Sequence, residues 1–287
     1  LRVDEYNSHS SQLQRYREAL RTLEERGVRI ADGCRLRTYE KRLNQLICDP
    51  RPAVEVELVY AASFDLREID EITEIIKYLP PALDSTVLDL LRKLGSGSDH
   101  PDDETSAPAR EAQYELYLGA VFRRAGIPTR HGVPDLIAHW RNQDYFVEAK
   151  RPASPKKLDD RLRSAIHQAR KLPRPGIIAI CADQLIRPKN TLMTVKTFND
   201  LSPAVDELLT EFKLRNTQVL RGRLASEQSV AAILWTARIP ARISVTGHSS
   251  LGTAIQLDQV TMVRTPEIDF AASTIEAYQK AQGKQVP

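Results

Sequence analysis

The stretch Val133 to Pro152, reading VPDLIAHWRNQDYFVEAKRP, places one carboxylate directly after a proline and, further on, the triplet Glu148-Ala149-Lys150. Successive side chains of an extended segment point to opposite faces, so Glu148 and Lys150 share one face. With Asn142 and Gln143 as a two-residue turn, antiparallel pairing sets Asp135 opposite Lys150 and Ile137 opposite Glu148, and all three polar groups converge. A four-residue turn about the same centre keeps that register, whereas an odd-length loop or a bulge reverses it. Two carboxylates beside an ammonium make a poor apolar core but suit a hard divalent cation. Asp135, Glu148 and the Ala149 carbonyl are therefore candidate ligands for Mg2+ or Mn2+, with positions left for a phosphate and a water. Lys150 would orient or help deprotonate that water and balance charge in the transition state. The chemistry implied is phosphodiester hydrolysis.

The elements that must position these groups follow from periodicity. A helix is expected from about Ala109 to Ala125, closed by Gly126, then two short strands, a basic helix from about Lys157 to Lys171 and the apolar strand Gly176 to Ala182. Beyond it, residues 201 to 221 read as helix, Val230–Ile239, Ala241–Val245 and Thr253–Val263 as strands, and Ile268–Gln282 as a terminal helix. Upstream, Leu13, Tyr16, Leu20 and Leu23, then Leu36, Tyr39, Leu43 and Leu46, repeat at helical spacing and predict a helical hairpin. Ile69 to Leu79 predicts a third helix, stopped by Pro80, and Asp84 or Ser85 caps a fourth ending near Leu94. Residues 53 to 60 alternate as a short strand would. Gly95 to Ala109, GSGSDHPDDETSAPA, lacks apolar periodicity and reads as an exposed linker. The expected organisation is a helical domain over 1–95, a linker over 96–109 and a mixed α/β domain over 110–287.

The pattern P-D-x(12)-E-A-K, preceded by a helix that bears a glutamate, resembles the PD-(D/E)xK nuclease superfamily over about residues 109 to 182. The resemblance implies a restriction-endonuclease-like α/β core, an α-βββ-α-β arrangement with a mixed sheet flanked by helices, here following an all-helical N-terminal domain. It also implies Asp135 and Glu148 as metal ligands, Lys150 as the catalytic lysine and an acid of the first core helix as a further ligand. Glu111 and Glu115 stand one turn apart on that helix. Glu115 is preferred, because its helix continues through Leu116, Leu118 and Val121 to Gly126. Gln168 resembles the active-site glutamine of RecB-like nucleases, with Leu172 where that subgroup carries tyrosine.

Arg151, Lys156, Lys157, Arg161, Arg163 and Arg170 follow the motif closely, opposed between 150 and 174 only by Asp159 and Asp160, and are the expected contacts to a DNA backbone. Such contacts supply affinity rather than sequence reading. In the N-terminal segment, Arg15, Arg17, Arg35, Arg37, Lys41 and Arg42 offer a surface for DNA, and the same helices a surface for dimerisation or a protein partner. The whole chain is mildly basic at +3. Its longest apolar runs, such as Ala231 to Ala237, are too short to span a bilayer, and no charged-then-apolar leader opens the sequence, so a cytoplasmic protein is expected. Cys34, Cys48 and Cys181 lack C-x2-C spacing and read as buried free thiols. His131, His139 and His167 lack HExxH spacing; His139 falls on the Asp135 face. No Gly-x4-Gly-Lys loop is present.

The resulting expectation is a Mg2+- or Mn2+-dependent endonuclease acting on double-stranded DNA as a homodimer, in an architecture compatible with host defence. The rival readings are an inactive nucleic-acid-binding module of the same fold and a nuclease for RNA or branched DNA.

Overall fold

The computed structural model describes residues 9–48, 56–100, 103, 107–187, 192–225, 227–246, 249–260 and 265–281. Four helices come first: α1 (His9–Glu25), α2 (Arg35–Cys48), α3 (Val56–Lys77) and α4 (Ser85–Lys93). The alternation at 53–60 does not form a strand where it is described, because α3 already runs from Val56; residues 53–55 lie outside the described residues. Asp84 caps α4, its carboxylate accepting the Val87 N–H at 2.8 Å.

Helix α5 (Ala107–Arg124) starts inside the segment expected as a linker, of which 101–102 and 104–106 lie outside the described residues. The Arg110 guanidinium holds part of that segment by donating to the carbonyls of His100 at 3.0 Å and Asp103 at 3.4 Å. At the other end of α5, Gly126 adopts a φ of +78°, and the N–H groups of Ile127 and Gly126 return to the carbonyls of Phe122 and Arg123. This paired closure satisfies two otherwise orphaned carbonyls and needs the left-handed residue that glycine supplies.

A mixed seven-stranded sheet follows, with helices on both faces. Its strands are β1 (Thr129–His131), β2 (Leu136–Trp140), β3 (Gln143–Lys150), β4 (Gly176–Cys181), β5 (Met193–Val195), β6 (Val230–Ile243) and β7 (Ser249–Gln259). The remaining helices are α6 (Leu158–Ala169), α7 (Asp183–Ile186), α8 (Leu201–Arg215), α9 (Thr217–Leu224) and α10 (Pro266–Ala281). Strands β1, β2 and β3 pair antiparallel, and β3 to β4 and β4 to β6 are parallel. The two strands expected at Val230–Ile239 and Ala241–Val245 are one strand. β7 pairs along one edge of β6, while β4 and then β5 share the other, and Pro240 falls between these two partners where that edge has no ladder to break. The helix expected over 201–221 breaks at Asn216, and residues 261–263 of the last expected strand and Gln282 of the last helix lie outside the described residues.

Three large apolar clusters of the described residues hold these layers, and a small fourth, Val195, Leu201, Ala241 and Ile243, lies around β5. Leu13, Tyr16, Leu20, Tyr39, Ile72 and Leu91 of the first four helices pack against Ala112, Leu116, Tyr117 and Val121 of α5. The other side of α5, through Tyr114, Leu118 and Phe122, covers Leu136, Val147 and Ala179 of the sheet together with Phe270 of α10. The opposite sheet face carries Ile178, Ile180 and Trp235 under α6 and α8. Of the cysteines expected to be buried only Cys181 is; Cys34 is half-buried and Cys48 exposed, because Cys48 is the last residue of α2.

Between α3 and the sheet lies a buried ionic network. Glu68 and Glu71 of α3 meet Arg67 of the same helix, Arg35 of α2, and Arg151 at the exit of β3. Asp183 at the start of α7 joins through Arg67 at 2.9 Å and Arg151 at 3.5 Å. Gln113 of α5 bridges Arg35 and Glu71 at 2.6 Å each. Burial opposes ionisation of Glu68, but Arg67, Arg151, Arg35 and Arg110 around it hold its carboxyl well below the usual range.

Removing one member of such a network strands the opposite charges. Glu68→Ala should therefore cost about 3–5 kcal/mol of stability. The exposed pair of Asp89 with Arg92, removed by Asp89→Ala, should cost less than about 1 kcal/mol. Urea unfolding of the two variants measures this, and equal effects would contradict the network's role.

Candidate active site

The hairpin that carries the motif turns at Arg141 and Asn142, with φ of +49° and +60°, rather than at Asn142 and Gln143. Both central residues in the left-handed region make a type I′ turn, which matches the twist of the flanking strands. Arg141 is an unusual residue there; its guanidinium stacks over the Trp140 ring at 4.1 Å from the centroid. The register is accordingly Leu136 with Val147 and Ile137 with Phe146, not Ile137 with Glu148. Continued outward, it sets Asp135 beside Glu148 instead of Lys150. The expected pairing is off by two residues, and an even offset preserves the face.

Asp135 lies just beyond the end of β2, where β3 loses its backbone partner. Its Oδ2 accepts the Ala149 N–H at 2.9 Å, so a side chain substitutes for the missing ladder carbonyl. The N–H and C=O of one extended residue point to the same side, so the Ala149 carbonyl also faces the side that β2 has vacated. Lys150 donates to the same Asp135 oxygen at 3.3 Å and contacts Glu148 Oε1 as well. The Glu148 side chain is only 2% exposed, Lys150 12% and Asp135 23%. Glu148 Oε2 is buried with no hydrogen-bond partner among the described residues.

Helix α5 adds two acids. The Glu115 carboxylate bonds His131 Nδ1 at 3.1 Å, while Glu111 pairs with Arg161 of α6 at 2.5 Å. Burial, and next the Asp135 charge, push the Glu115 carboxyl up to about 8 and Glu148 up to about 7. Burial raises Glu111 too. Lys150 is held above the ordinary lysine value despite burial, because Asp135 and Glu148 flank it. Burial, and then Arg123, bring His131 down to about 4.

The structure thus brings together Asp135, Glu148 and Lys150, with Glu115 near enough to feel the charges of Asp135 and Lys150. Gln168 of α6 has its Oε1 buried with no hydrogen-bond partner among the described residues. His139 is exposed and bonds Asp144 at 2.9 Å. Arg151 requires correction as a backbone-binding residue, because alternation turns it away from Lys150 into the buried network, where it is 3% exposed. Arg35 is corrected for the same reason, at 1% exposed. Lys156, Lys157, Arg163 and Arg170 are exposed, although Arg163 pairs with Asp159 and Arg170 with Glu227. Lys157 and Arg161, with Ala107, Ala153, Asp160 and Ser164, line an open recess of about 350 Å3.

His131, set aside in the sequence for want of HExxH spacing, joins the cluster through Glu115 instead. Sequence reasoning missed Lys93 at the end of α4, whose charge favours ionisation of Glu115 from a separate helix.

The donor set fits a divalent cation in its chemistry. Three carboxylates crowd one ammonium, two of them are pushed toward neutrality, and one buried carboxylate oxygen is unused. Among the described residues, no three His, Cys, Asp or Glu side chains are already grouped closely enough to grip a metal. No family model matches the chain, and neither the curated proteins nor the solved structures compared with it gave a match. No helix among the described residues is long and apolar enough to cross a membrane.

The carboxyl shifts have a measurable consequence in chelator. Glu115 holds its proton more tightly folded than unfolded, so stability falls as pH rises toward about 8. His131 is depressed instead, so it lowers stability only below about 6.5, its unfolded value. Between pH 6.5 and 8 the wild type should therefore lose about 2 kcal/mol to Glu115 alone, and Glu115→Gln should abolish that component. Urea unfolding across this window that gave parallel slopes for the two proteins would refute the assignment.

Proposed function

We propose that this chain is a metal-dependent deoxyribonuclease of the PD-(D/E)xK type, hydrolysing phosphodiester bonds in double-stranded DNA. The observation that carries the reading is the Lys150 ammonium in contact with both Asp135 and Glu148 at the end of β3. The order α5-β1-β2-β3-α6-β4 supports it, since it runs as the α-βββ-α-β core that the sequence resemblance implies.

Asp135, Glu148 and Glu115, with the Ala149 carbonyl, would hold Mg2+ or Mn2+. Such an ion, when bound, polarises the phosphoryl oxygens and lowers the pKa of a coordinated water. The chain's own residues do the rest. Lys150 keeps a positive charge within the cluster, where negative charge accumulates on the phosphoryl oxygens in the transition state. Asp135 fixes the end of β3 through the Ala149 N–H, which holds Glu148 and Lys150 in register with it. Arg161, tied to Glu111, joins the metal cluster to the recess lined by Lys157, where the substrate backbone would run. A homodimer would bring two such sites to the two strands of a duplex.

Glu148→Ala and Lys150→Ala should each lower cleavage of supercoiled plasmid at least 100-fold while remaining folded. Supercoiled and linear duplex, single-stranded DNA and RNA, each with Mg2+, Mn2+ or EDTA, form the assay. Folded variants that cut at the wild-type rate would remove the catalytic assignment, and RNA cleavage in place of DNA cleavage would move the substrate.

Lys156 and Lys157 supply a separate check through salt. Their joint replacement by alanine should make the log–log salt dependence of duplex binding shallower by roughly 0.9 for each phosphate that is no longer neutralised. An unchanged slope in filter binding from low to moderate salt would place the backbone track elsewhere.

A further inference from the structure

His131 ends β1, and the sheet ties it to the metal cluster by backbone alone. It pairs with Leu136, the residue after Asp135, and the Gly132 N–H donates to the Asp135 carbonyl at 3.3 Å. Its imidazole is buried, with the side chain 1% exposed, and Nδ1 reaches across to Glu115 Oε1 of α5 at 3.1 Å. The other ring nitrogen, Nε2, is buried and has no hydrogen-bond partner among the described residues. Room for it comes from Gly119, one turn after Glu115 on α5: a Cβ there would stand 3.0 Å from Nε2 and 3.2 Å from Cε1.

This arrangement selects a tautomer. A proton on Nε2 would be a buried donor without an acceptor, whereas an unprotonated Nε2 leaves only a lone pair facing the helix. The proton belongs on Nδ1, which donates it to Glu115. One carboxylate oxygen is thereby engaged from the sheet side, and the carboxylate plane is no longer free to rotate.

Resting on the nuclease reading above, we infer that His131 is a positioning residue for the divalent-cation site, holding Glu115 by one oxygen so that the other is presented to the ion. It touches neither substrate nor cation. Hydrogen bonds of this kind behind a ligand typically change metal affinity by roughly 10–100-fold when removed.

The test is calorimetric titration of the full, chelator-stripped chain with MnCl2, with thermal melts to establish that each variant is folded. His131→Leu should weaken Mn2+ binding by roughly 10–100-fold. His131→Asn, whose amide N–H can stand in for Nδ1–H, should restore most of that affinity. In a Glu115→Ala background, His131→Leu should cause no further weakening, since the two groups act as one unit. If His131→Leu does not fold, Gly119→Ala serves instead, because its methyl group must displace the ring, and the same weakening is expected. Wild-type affinity in the folded variant, failure of asparagine to rescue, or an equal weakening without Glu115 would each overturn the role of His131 alone. A wild-type chain that binds no Mn2+ would overturn this role together with the metal-dependent reading of the site.

Discussion

One carboxylate, Glu68, sets the terms for much of this molecule. It sits fully inside the protein among the guanidinium groups of Arg67, Arg151, Arg35 and Arg110. Each arginine comes from a different place: α3 itself, the exit of β3, the start of α2 and the first turns of α5. Buried ion pairs cost desolvation and do not by themselves add much net stability, yet breaking one is expensive. Here they join α3 to the start of α2 and to the exit of β3. Because Arg151 directly follows Lys150, the same constraint fixes the end of the strand on which the candidate site is built.

Helix α5 transmits that constraint sideways. It has almost no solvent face, with one side in the core of the first helices and the other on the sheet. A side chain on such a helix escapes burial only at the seams, and Glu111 and Glu115 occupy a seam that opens at the end of β3. They meet Arg161 and His131 there, one from α6 and one from β1. The acids therefore stay in a fixed place relative to Asp135 and Lys150, and the expected linker upstream is bound to α5 through Arg110.

The convergence of Asp135, Glu148 and Lys150 was readable because strand alternation has a period of two, so a turn misplaced by one residue shifted the register by two and left the face intact. The helices were readable for a similar reason, through Leu13, Tyr16, Leu20 and Leu23 at regular spacing. What escaped was short or relational. β1 and β5 are three residues each, too brief for a periodic signal. Arg67 and Glu71 stand one helical turn apart, a spacing that carries no sign of burial, and docking of α3 buries them. Arg151 reads as part of a basic run, but side chains on an extended segment alternate, and the residue after Lys150 must point the other way.

The candidate site and the buried network solve opposite electrostatic problems. Around Glu68, arginines from four places surround one carboxylate and drive it toward its charged form. Around Lys150, carboxylates outnumber the cation, and Glu115 and Glu148 are driven toward their neutral forms. The first arrangement sets cations against each buried carboxylate, although the Nε atoms of Arg67 and Arg151 are buried with no hydrogen-bond partner among the described residues. The second is left short of positive charge where Asp135 already serves as the ladder partner of Ala149. Such a cluster lowers its energy by admitting a cation or by giving up a charge, and perturbed carboxyls of this kind mark a candidate site. The network bears on that cluster through Arg151, which ties the end of β3 to Glu68 and Glu71 of α3 and to Asp183 of α7.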